Sequence, residues 1–332
     1  MKELLRIDDL KVNFTTYAGE VQAVRGVSLS VNQGESIAIV GESGCGKSVT
    51  AQTMMKLIPT PPGKIVAGSI KFLDMEIVSM SEKQMQAIRG KEIGMIFQDP
   101  MTSLNPTMTV GKQIMEVLSK QQTLGKEQQV KKVVEMLRLV GIPNPETRMR
   151  QYPHQFSGGM RQRVMIAMAL VCNPKLLIAD EPTTALDVTI QAQIMELMQG
   201  LKERLGTSII LITHDLGVVA GFAERIIVMY AGRVIESGTT RDIFYNPQHP
   251  YTRGLLKSIP RPGQCVKEKL MPIPGRPPDL ISPPGGCAFW PRCSQAMKVC
   301  QQMEPSTTEV SPGHKVVCWL TQIPNNLAMG VS

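Results

Sequence analysis

Aromatic residues are scarce in this sequence, and its basic residues are dispersed. Phe, Trp and Tyr make up 4% of the 332 residues, and no run of five Lys or Arg occurs although the formal net charge is +8. Proteins that bind nucleic acid usually carry a clustered basic patch. The composition therefore weighs against a nucleic-acid partner, and the basic balance fits an anionic membrane surface or a nucleotide ligand.

Long apolar runs are also missing. The longest, Val164–Cys172, falls far short of the roughly 18 apolar residues of a membrane span and is better interpreted as a buried helix. The first residues, Met1–Leu10, contain Glu3, Asp8 and Asp9 and no apolar core, which is not the pattern of a secretory signal. We therefore expect a soluble or peripheral protein whose transport role, if any, requires other subunits.

What the sequence does contain is an alternation of strand and helix patterns over residues 1–245. The runs Ser36–Val40, Leu176–Ala179 and Ser208–Thr213 are almost purely apolar and end at polar or glycine-rich turns. Continuous apolar strands are typical of a parallel sheet that is covered on both faces. The fold class is therefore predicted to be α/β.

Two further regions differ in composition from these strands. A helical subdomain is predicted over about residues 100–165, with Lys126–Leu139 as one of its helices because its apolar residues follow helical spacing. Eleven of the 24 prolines lie between Pro247 and Pro291, which disfavours long helices there. We place a domain boundary near residue 245 and treat residues 246–332 as a proline-rich, cysteine-containing extension.

A phosphate-binding loop follows the first of the predicted strands. The segment fits the G-x-x-x-x-G-K-[ST] pattern and consists of Gly41, Glu42, Ser43, Gly44, Cys45, Gly46, Lys47 and Ser48. Backbone N–H groups of such a loop and the start of the next helix, here including Val49, bind phosphate oxygens. Lys47 is predicted to contact the β- and γ-phosphates of ATP, and the Ser48 hydroxyl to ligate Mg²⁺.

Two carboxylates end a later apolar strand. Asp180 and Glu181 follow Leu176–Ala179, at the strand edge where open α/β sheets bind ligands. Asp180 is predicted to hold Mg²⁺ directly or through water, and Glu181 to act as the general base on the attacking water. The alternative is a pair of solvated surface acids, which the neighbouring phosphate loop disfavours.

The segment Ser157–Arg163, of sequence SGGMRQR, resembles the signature of ABC ATPases. The resemblance implies that Ser157, Gly158 and Gly159 serve a nucleotide bound to the opposite subunit of a dimer. It covers residues 1–245, and Met160 stands where the family usually has Gln. The expected fold is an ABC-type P-loop ATPase domain with an inserted helical subdomain, and the expected activity is hydrolysis of ATP.

Further residues match motifs of the same family. The resemblance implies that Gln98 senses Mg²⁺ and the attacking water, and that His214 contacts the γ-phosphate. It also implies that Asp187, in the segment Ala185–Asp187, communicates across the dimer. Tyr17, in an early loop, is predicted to stack on adenine, with a half-buried hairpin tyrosine as the alternative.

Four segments of the sequence resemble the peptide and nickel importer branch of this family. The matching segments are Phe97–Pro106, Tyr152–Gln155, Asp180–Thr189 and Asn246–Thr252. The resemblance implies an ATPase that powers import of dipeptides or oligopeptides from the cytoplasmic face of the cell membrane. Its implied partners are a second homologous ATPase, two membrane permease subunits and an external peptide-binding protein, with Met101–Pro106 near the permease contact.

Four cysteines of the extension have the spacing C-x₅-C-x₆-C-x₁₇-C and are Cys287, Cys293, Cys300 and Cys318. Four thiolates suit Zn²⁺ or an iron–sulfur cluster. Zinc sites usually begin with a closer cysteine pair, so the spacing favours [4Fe–4S], which the resemblance also implies. The alternative is a set of unbonded thiols, and Cys265 is predicted to be free.

Two other functions stay open. The first alternative is the same motor with nickel, glutathione or an antimicrobial peptide as cargo, because this chain does not contact the cargo. A soluble ABC factor that acts on nucleic acid or ribosomes is the alternative from another class, and it predicts salt-sensitive binding to DNA or RNA.

Overall fold

A computed structural model of the chain describes residues 2–99, 103–121, 123–184, 186–258 and 272–322. Three of the predictions fall on other residues. The start of the segment Met101–Pro106, Ala185 and Cys265 all lie outside the described residues.

The described residues alternate between strands and helices along most of the chain. The strands are β1 Glu3–Thr16, β2 Gly19–Asn32, β3 Ser36–Val40, β4 Gly63–Phe72, β5 Met75–Glu76, β6 Ile93–Ile96, β7 Leu176–Asp180, β8 Ser208–Thr213, β9 Arg225–Tyr230, β10 Arg233–Thr239, β11 Thr308–Ser311 and β12 His314–Val316. The α-helices are α1 Lys47–Met54, α2 Glu82–Ile88, α3 Val110–Gln121, α4 Lys126–Leu139, α5 Pro145–Arg148, α6 Gly158–Leu170, α7 Val188–Leu205, α8 Leu216–Val219, α9 Thr240–Tyr245, α10 Pro250–Lys257 and α11 Lys298–Gln302.

The chain divides into two compact units, and each is made of several segments. The first unit comprises Met1–Leu4, Val31–Ser36 and Ser79–Ile212. The second unit comprises Leu5–Ser30, Ile37–Val78 and Thr213–Ser332.

The first unit is built on parallel strands. β6 pairs with β7 and β7 with β8, all in parallel, and every residue of β7 and β8 is buried. This confirms the prediction of continuous apolar strands in a parallel arrangement. Helices α3, α4 and α6 pack on one another, and α6 also packs on β6.

Two helix predictions in the first unit are confirmed. Helix α4 has the predicted bounds and buries Val133 and Leu137. The apolar run Val164–Cys172 lies in α6 as far as Leu170 and is buried except at the half-buried Met168. Because α6 carries apolar residues around most of its circumference, it lies inside the unit rather than on its surface.

The second unit contains one antiparallel sheet and one mixed set of strands. The antiparallel sheet has the order β2-β1-β4-β5. In the mixed set, β3 pairs in parallel with β9, and β9 continues through antiparallel pairs to β10, β12 and β11. The last two strands come from the extension, and they continue the strand order that begins with the strand before the phosphate loop.

The extension has short regular elements, as its proline content predicts. Its longest described helix is α10, where Pro250 occupies the first turn, a position that tolerates the missing N–H. No helix in the described part of the chain is long and apolar enough to cross a membrane.

Candidate functional site

The phosphate loop connects β3 to α1 and has a shape that requires glycine. Gly46 caps α1 with φ 97°, a left-handed conformation that other L-residues rarely adopt. A Cβ atom at this position would lie 2.4 Å from the carbonyl oxygen of Ala23. The backbone of the loop therefore approaches a neighbouring strand more closely than a side chain would allow.

Lys47 lies within this loop, not on its surface. Lys47 is only 4% exposed. Its Nζ donates to the carbonyl oxygens of Gly41 at 2.8 Å and Glu42 at 3.0 Å. A buried ammonium group needs such partners. The charge is thereby held against the loop, where a phosphate group is expected to bind.

The remaining predicted residues of the loop differ in exposure. Ser43 and Gly44 are exposed at its tip, and Ser48 and Val49 are half-buried in the first turn of α1. Burial raises the pKa of the Cys45 thiol, which keeps it protonated and unreactive. Cys45 therefore contributes its backbone to the loop and not a thiolate.

The acidic strand end holds its glutamate in a defined position. Asp180 is buried, and the next residue, Glu181, has a left-handed φ of 47°, which is unfavourable for a residue with a side chain. The Glu181 N–H donates to the carbonyl oxygen of Ile212 at 2.9 Å. Strain of this kind is held by surrounding contacts and is concentrated at functional positions.

Two side chains donate to the same oxygen of Glu181. Gln98 Nε2 and Thr184 Oγ1 each lie 3.0 Å from Glu181 Oε2. The structure thus brings Gln98 to Glu181, although 83 residues separate them. Thr184 was not among the predicted site residues; its position three residues after Glu181 is the signal that would have identified it.

The signature segment forms the exposed start of a helix. Ser157 is the N-cap of α6, and its hydroxyl accepts a hydrogen bond from the N–H of Met160 at 3.4 Å. Ser157 and Gly158 are exposed, and Gly159 is half-buried. An exposed helix start with a serine hydroxyl is a suitable site for an anion.

Asp187 and His214 are also exposed. Asp187 caps α7, and its Oδ1 accepts from the N–H of Ile190 at 2.9 Å, so it has a structural role in its own chain. His214 lies between the buried strand β8 and Asp215, which caps α8. Asp187 belongs to the first unit, whereas His214 and the phosphate loop belong to the second.

Tyr17 lies in the tight turn between β1 and β2 and is fully exposed. The alternative of a half-buried hairpin tyrosine is therefore wrong. Its role in adenine stacking stays a prediction.

The four cysteines of the extension do not form a metal site in this structure. The Cys287 N–H donates to the carbonyl oxygen of Cys300 at 2.8 Å. Burial first, and then the nearby thiols of Cys287, Cys293 and Cys300, raise the pKa of Cys318 to about 12. Among the residues that the structure describes, no group of three or more His, Cys, Asp or Glu could hold a metal ion. The described geometry therefore does not support the predicted ligand set.

Comparisons with known families match both parts of the chain. Residues 24–184 match the ABC transporter family. Residues 235–300 match the C-terminal region of oligopeptide/dipeptide transporters, a match that begins within β10.

Similar proteins are found along nearly the whole chain. The oligopeptide transport ATP-binding protein OppD of Bacillus subtilis is 62% identical over 96% of this chain and 88% of its own length. The dipeptide transport ATP-binding protein DppD of the same organism is 57% identical over 96% of this chain and 95% of its own length. Among solved structures, the dimeric ATP-binding cassette MJ0796 bound to ADP and Pi has a TM-score of 0.64 and 28% identity, and the match covers 72% of this chain and 99% of that one.

Proposed function

Since the chain belongs to the ABC transporter family, in the branch with an oligopeptide/dipeptide transporter C-terminal region, we propose that it powers peptide import. It is an ATPase of the ABC type with the corresponding cassette fold. The work of import is supplied by ATP hydrolysis in this chain and is transmitted to membrane permease subunits. The observation that best supports ATP hydrolysis as the source of this work is the buried Lys47, which is held against a glycine-dependent loop at a helix start.

ATP binding is assigned to the phosphate loop and its surroundings. The backbone N–H groups of Gly44–Val49 and the ammonium of Lys47 neutralise the phosphate charges. Tyr17, which is fully exposed, offers a ring face to adenine. Aromatic stacking of this kind contributes about 1–3 kcal/mol per base.

Mg²⁺ prefers oxygen ligands and usually keeps some of its water. Each unit has suitable oxygens: the buried carboxylate of Asp180 and the amide oxygen of Gln98 in the first, and the hydroxyl of Ser48 in the second. Bound Mg²⁺ neutralises the charge that develops on the phosphate oxygens during transfer. These residue types fit the ion, and we assign them to it.

Hydrolysis transfers the γ-phosphoryl group of ATP to water. Glu181 accepts a proton from the attacking water while the bond to ADP breaks, and His214 contacts the γ-phosphate. Gln98 Nε2 and Thr184 Oγ1 donate to one carboxylate oxygen of Glu181. This arrangement orients the base, and orientation supplies most of the catalysis in phosphoryl transfer.

The second ATPase of the complex is a homologous chain. Ser157, Gly158 and Gly159, exposed at the start of α6, serve the nucleotide bound by that partner, and Asp187 communicates with it. The complex also contains two permease subunits at the cell membrane and an external peptide-binding protein. The segment after Gln98 contacts a permease on the cytoplasmic face.

An iron–sulfur cluster in the extension stays a prediction. Iron, zinc and acid-labile sulfide analysis of the anaerobically purified chain decides the matter. About four irons and four sulfides per chain would establish a [4Fe–4S] cluster. One zinc without sulfide would make the cysteines a zinc site, and neither metal would leave them as thiols.

The central test of the proposed function is Glu181→Gln in the assembled complex. We expect ATP to bind and hold the two ATPases together while hydrolysis falls by about 10²–10⁴-fold, the range that a general base contributes. Steady-state phosphate release measures this, with the exposed Glu135→Gln as a matched control that retains turnover. Near-normal turnover of Glu181→Gln would refute its role as the base.

Cargo is tested by uptake into vesicles that contain the reconstituted complex. We expect labelled dipeptides or oligopeptides to accumulate only when ATP is present, and not with Lys47→Ala. Uptake of nickel or glutathione in place of peptides would change the cargo and keep the motor. Salt-sensitive binding of the chain to DNA or RNA, without association with permeases, would favour the soluble alternative.

A further inference from the structure

We propose that the C-terminal extension positions the phosphate loop through Glu42, and that Arg292 and Tyr251 are positioning residues for nucleotide binding. The inference rests on the proposed function in one respect, namely that this loop binds the phosphates of ATP. All three residues belong to the second unit. Arg292 is 250 residues from Glu42 along the chain, and Tyr251 is 209.

The Arg292 side chain is 4% exposed, and it makes a bidentate ion pair with Glu42. Nη1 lies 2.6 Å from Glu42 Oε2, and Nη2 lies 2.9 Å from Oε1. The other donors of the guanidinium contact the carbonyl oxygens of Pro274 and Ile273 and the hydroxyl of Tyr230. Paired bonds of this type fix an orientation as well as a distance.

Aromatic rings surround the guanidinium group. Its central carbon lies 5.7 Å from the ring centre of Tyr230 and 5.9 Å from that of Phe289. The hydrogen bonds to Glu42 raise the pKa of Arg292, so the group is charged under all physiological conditions. Removal of Glu42 leaves the buried Arg292 charge without its partner, which is strongly destabilising, whereas the Glu42 side chain is 27% exposed and becomes partly solvated when Arg292 is removed.

The backbone of Glu42 is held as well as its side chain. Its N–H donates to the hydroxyl of Tyr251 at 2.8 Å, and its carbonyl oxygen accepts from Lys47 Nζ at 3.0 Å. The extension therefore fixes the orientation of one peptide group in the phosphate loop. Successive peptide orientations decide which N–H groups of such a loop face the anion.

Tyr251 is itself held in place by buried contacts. It is fully buried, and its N–H donates to Nδ1 of His249, the cap of α10. Burial lowers the pKa of His249 to about 3, so this imidazole is neutral and can accept. The backbone N–H of His249 donates to the buried carboxylate of Glu236 at 3.0 Å. The phosphate loop is thus connected through hydrogen bonds to β10.

A purely adhesive role for the ion pair is the competing explanation. In that case Arg292 attaches the extension and has no effect on the shape of the loop. The two explanations differ in one measurable respect: positioning changes nucleotide affinity at temperatures where every variant is folded, whereas adhesion changes only the melting temperature.

The test is a double-mutant cycle on the full chain, with binding of the non-hydrolysable analogue AMP-PNP and Mg²⁺ measured by titration. We expect Arg292→Met and Glu42→Gln each to weaken binding about 10-fold, within the usual range of coupling between sites. The double variant should be no weaker than either single one, because both remove the same interaction. Arg292→Lys should fall between Arg292→Met and the wild type, since lysine keeps the charge without the bidentate geometry.

Controls separate this inference from the proposed function. Arg138→Met breaks an exposed ion pair with Glu146 in the first unit and should leave binding unchanged. Tyr251→Phe keeps the packed ring and removes only the hydroxyl on the Glu42 N–H, so about 3-fold weaker binding is expected. This variant decides the matter if Arg292→Met does not fold.

Lower melting temperatures with wild-type affinity in Arg292→Met and Tyr251→Phe would overturn the inference. Affinity losses that add in the double variant would also overturn it. A wild-type chain that does not bind AMP-PNP would contradict the proposed function itself.

Discussion

The molecule has two glycine-rich helix starts suited to phosphate, and they differ in how much of the surrounding chain holds them. The start of α1 contains a buried lysine and a glycine with no room for a Cβ atom, and contacts from the extension hold the loop before it. The start of α6 has an exposed serine and an exposed glycine, with one local bond to the Ser157 hydroxyl. Both present N–H groups to an anion.

The difference indicates two modes of binding. The loop before α1 has its cation, its backbone shape and its support within one chain, so a single chain is equipped to bind phosphate there. The start of α6 is supported only by near neighbours, since Arg161 Nε donates to the carbonyl oxygens of Pro153 and Phe156, and its exposed Ser157 and Gly158 are accessible to another molecule. This contrast agrees with the proposed role of the signature in serving the nucleotide of a partner ATPase.

Lys47→Ala removes the buried cation of the loop before α1, and its expected effect is the largest of the three substitutions. We expect Mg²⁺-ATP affinity to fall about 10- to 100-fold, because a charged hydrogen bond contributes about 1.5–3 kcal/mol and each 1.4 kcal/mol is about tenfold in affinity. Calorimetric titration measures it, and the exposed Lys64→Ala is the control for a lost positive charge. Unchanged affinity in Lys47→Ala would contradict the assignment of the loop.

Gly46→Ala tests whether close backbone approach holds the loop. Gly44 also has a left-handed φ, but nothing lies within 4 Å of a Cβ atom there, so Gly44→Ala is the matched control. Overpacking against Ala23 should make Gly46→Ala about 2 kcal/mol more destabilising than Gly44→Ala. Urea unfolding measures both, and equal losses would mean that the neighbouring strand yields.

Ser157→Ala addresses the exposed side and should have the smallest effect on the isolated chain. We expect its ATP affinity to be unchanged, while ATP-driven association with the partner ATPase weakens by about 10-fold, the loss of one hydrogen bond to a charged group. Ser81→Ala removes the N-cap of α2 and controls for the lost cap, which contributes about 1 kcal/mol of stability. Equal association in Ser157→Ala and wild type would end this role for the signature.

Local patterns in the sequence predicted the elements that carry the site. The bounds of β3, β8 and α4 follow from continuous apolar runs or from helical spacing, and both patterns depend on near neighbours in the chain. The phosphate loop was found for the same reason, since its glycines and lysine lie within one short segment.

Contacts between distant parts of the chain could not be predicted in this way. Glu42 and Arg292 each resemble ordinary solvated charges in the sequence, and their pairing depends on how the extension folds. The cysteine cluster stays a prediction for a related reason. The spacing of the cysteines resembles a ligand set, but spacing does not specify where the thiols lie, and the described residues contain no group able to hold a metal ion.

The buried carboxylate of Glu236 limits where the C-terminal extension can be removed or exchanged for that of a relative. It accepts hydrogen bonds from the N–H groups of Gln248 and His249 and is paired with Nε2 of His314 at 2.8 Å. A chain shortened after Tyr245 would keep the acid and lose all three partners, leaving a charge in an apolar environment. Grafting the tail of a relative onto this ATPase would therefore require the junction to precede β10. The segment beyond residue 245 and β10 therefore have to be exchanged together, because this segment supplies the partners of Glu236.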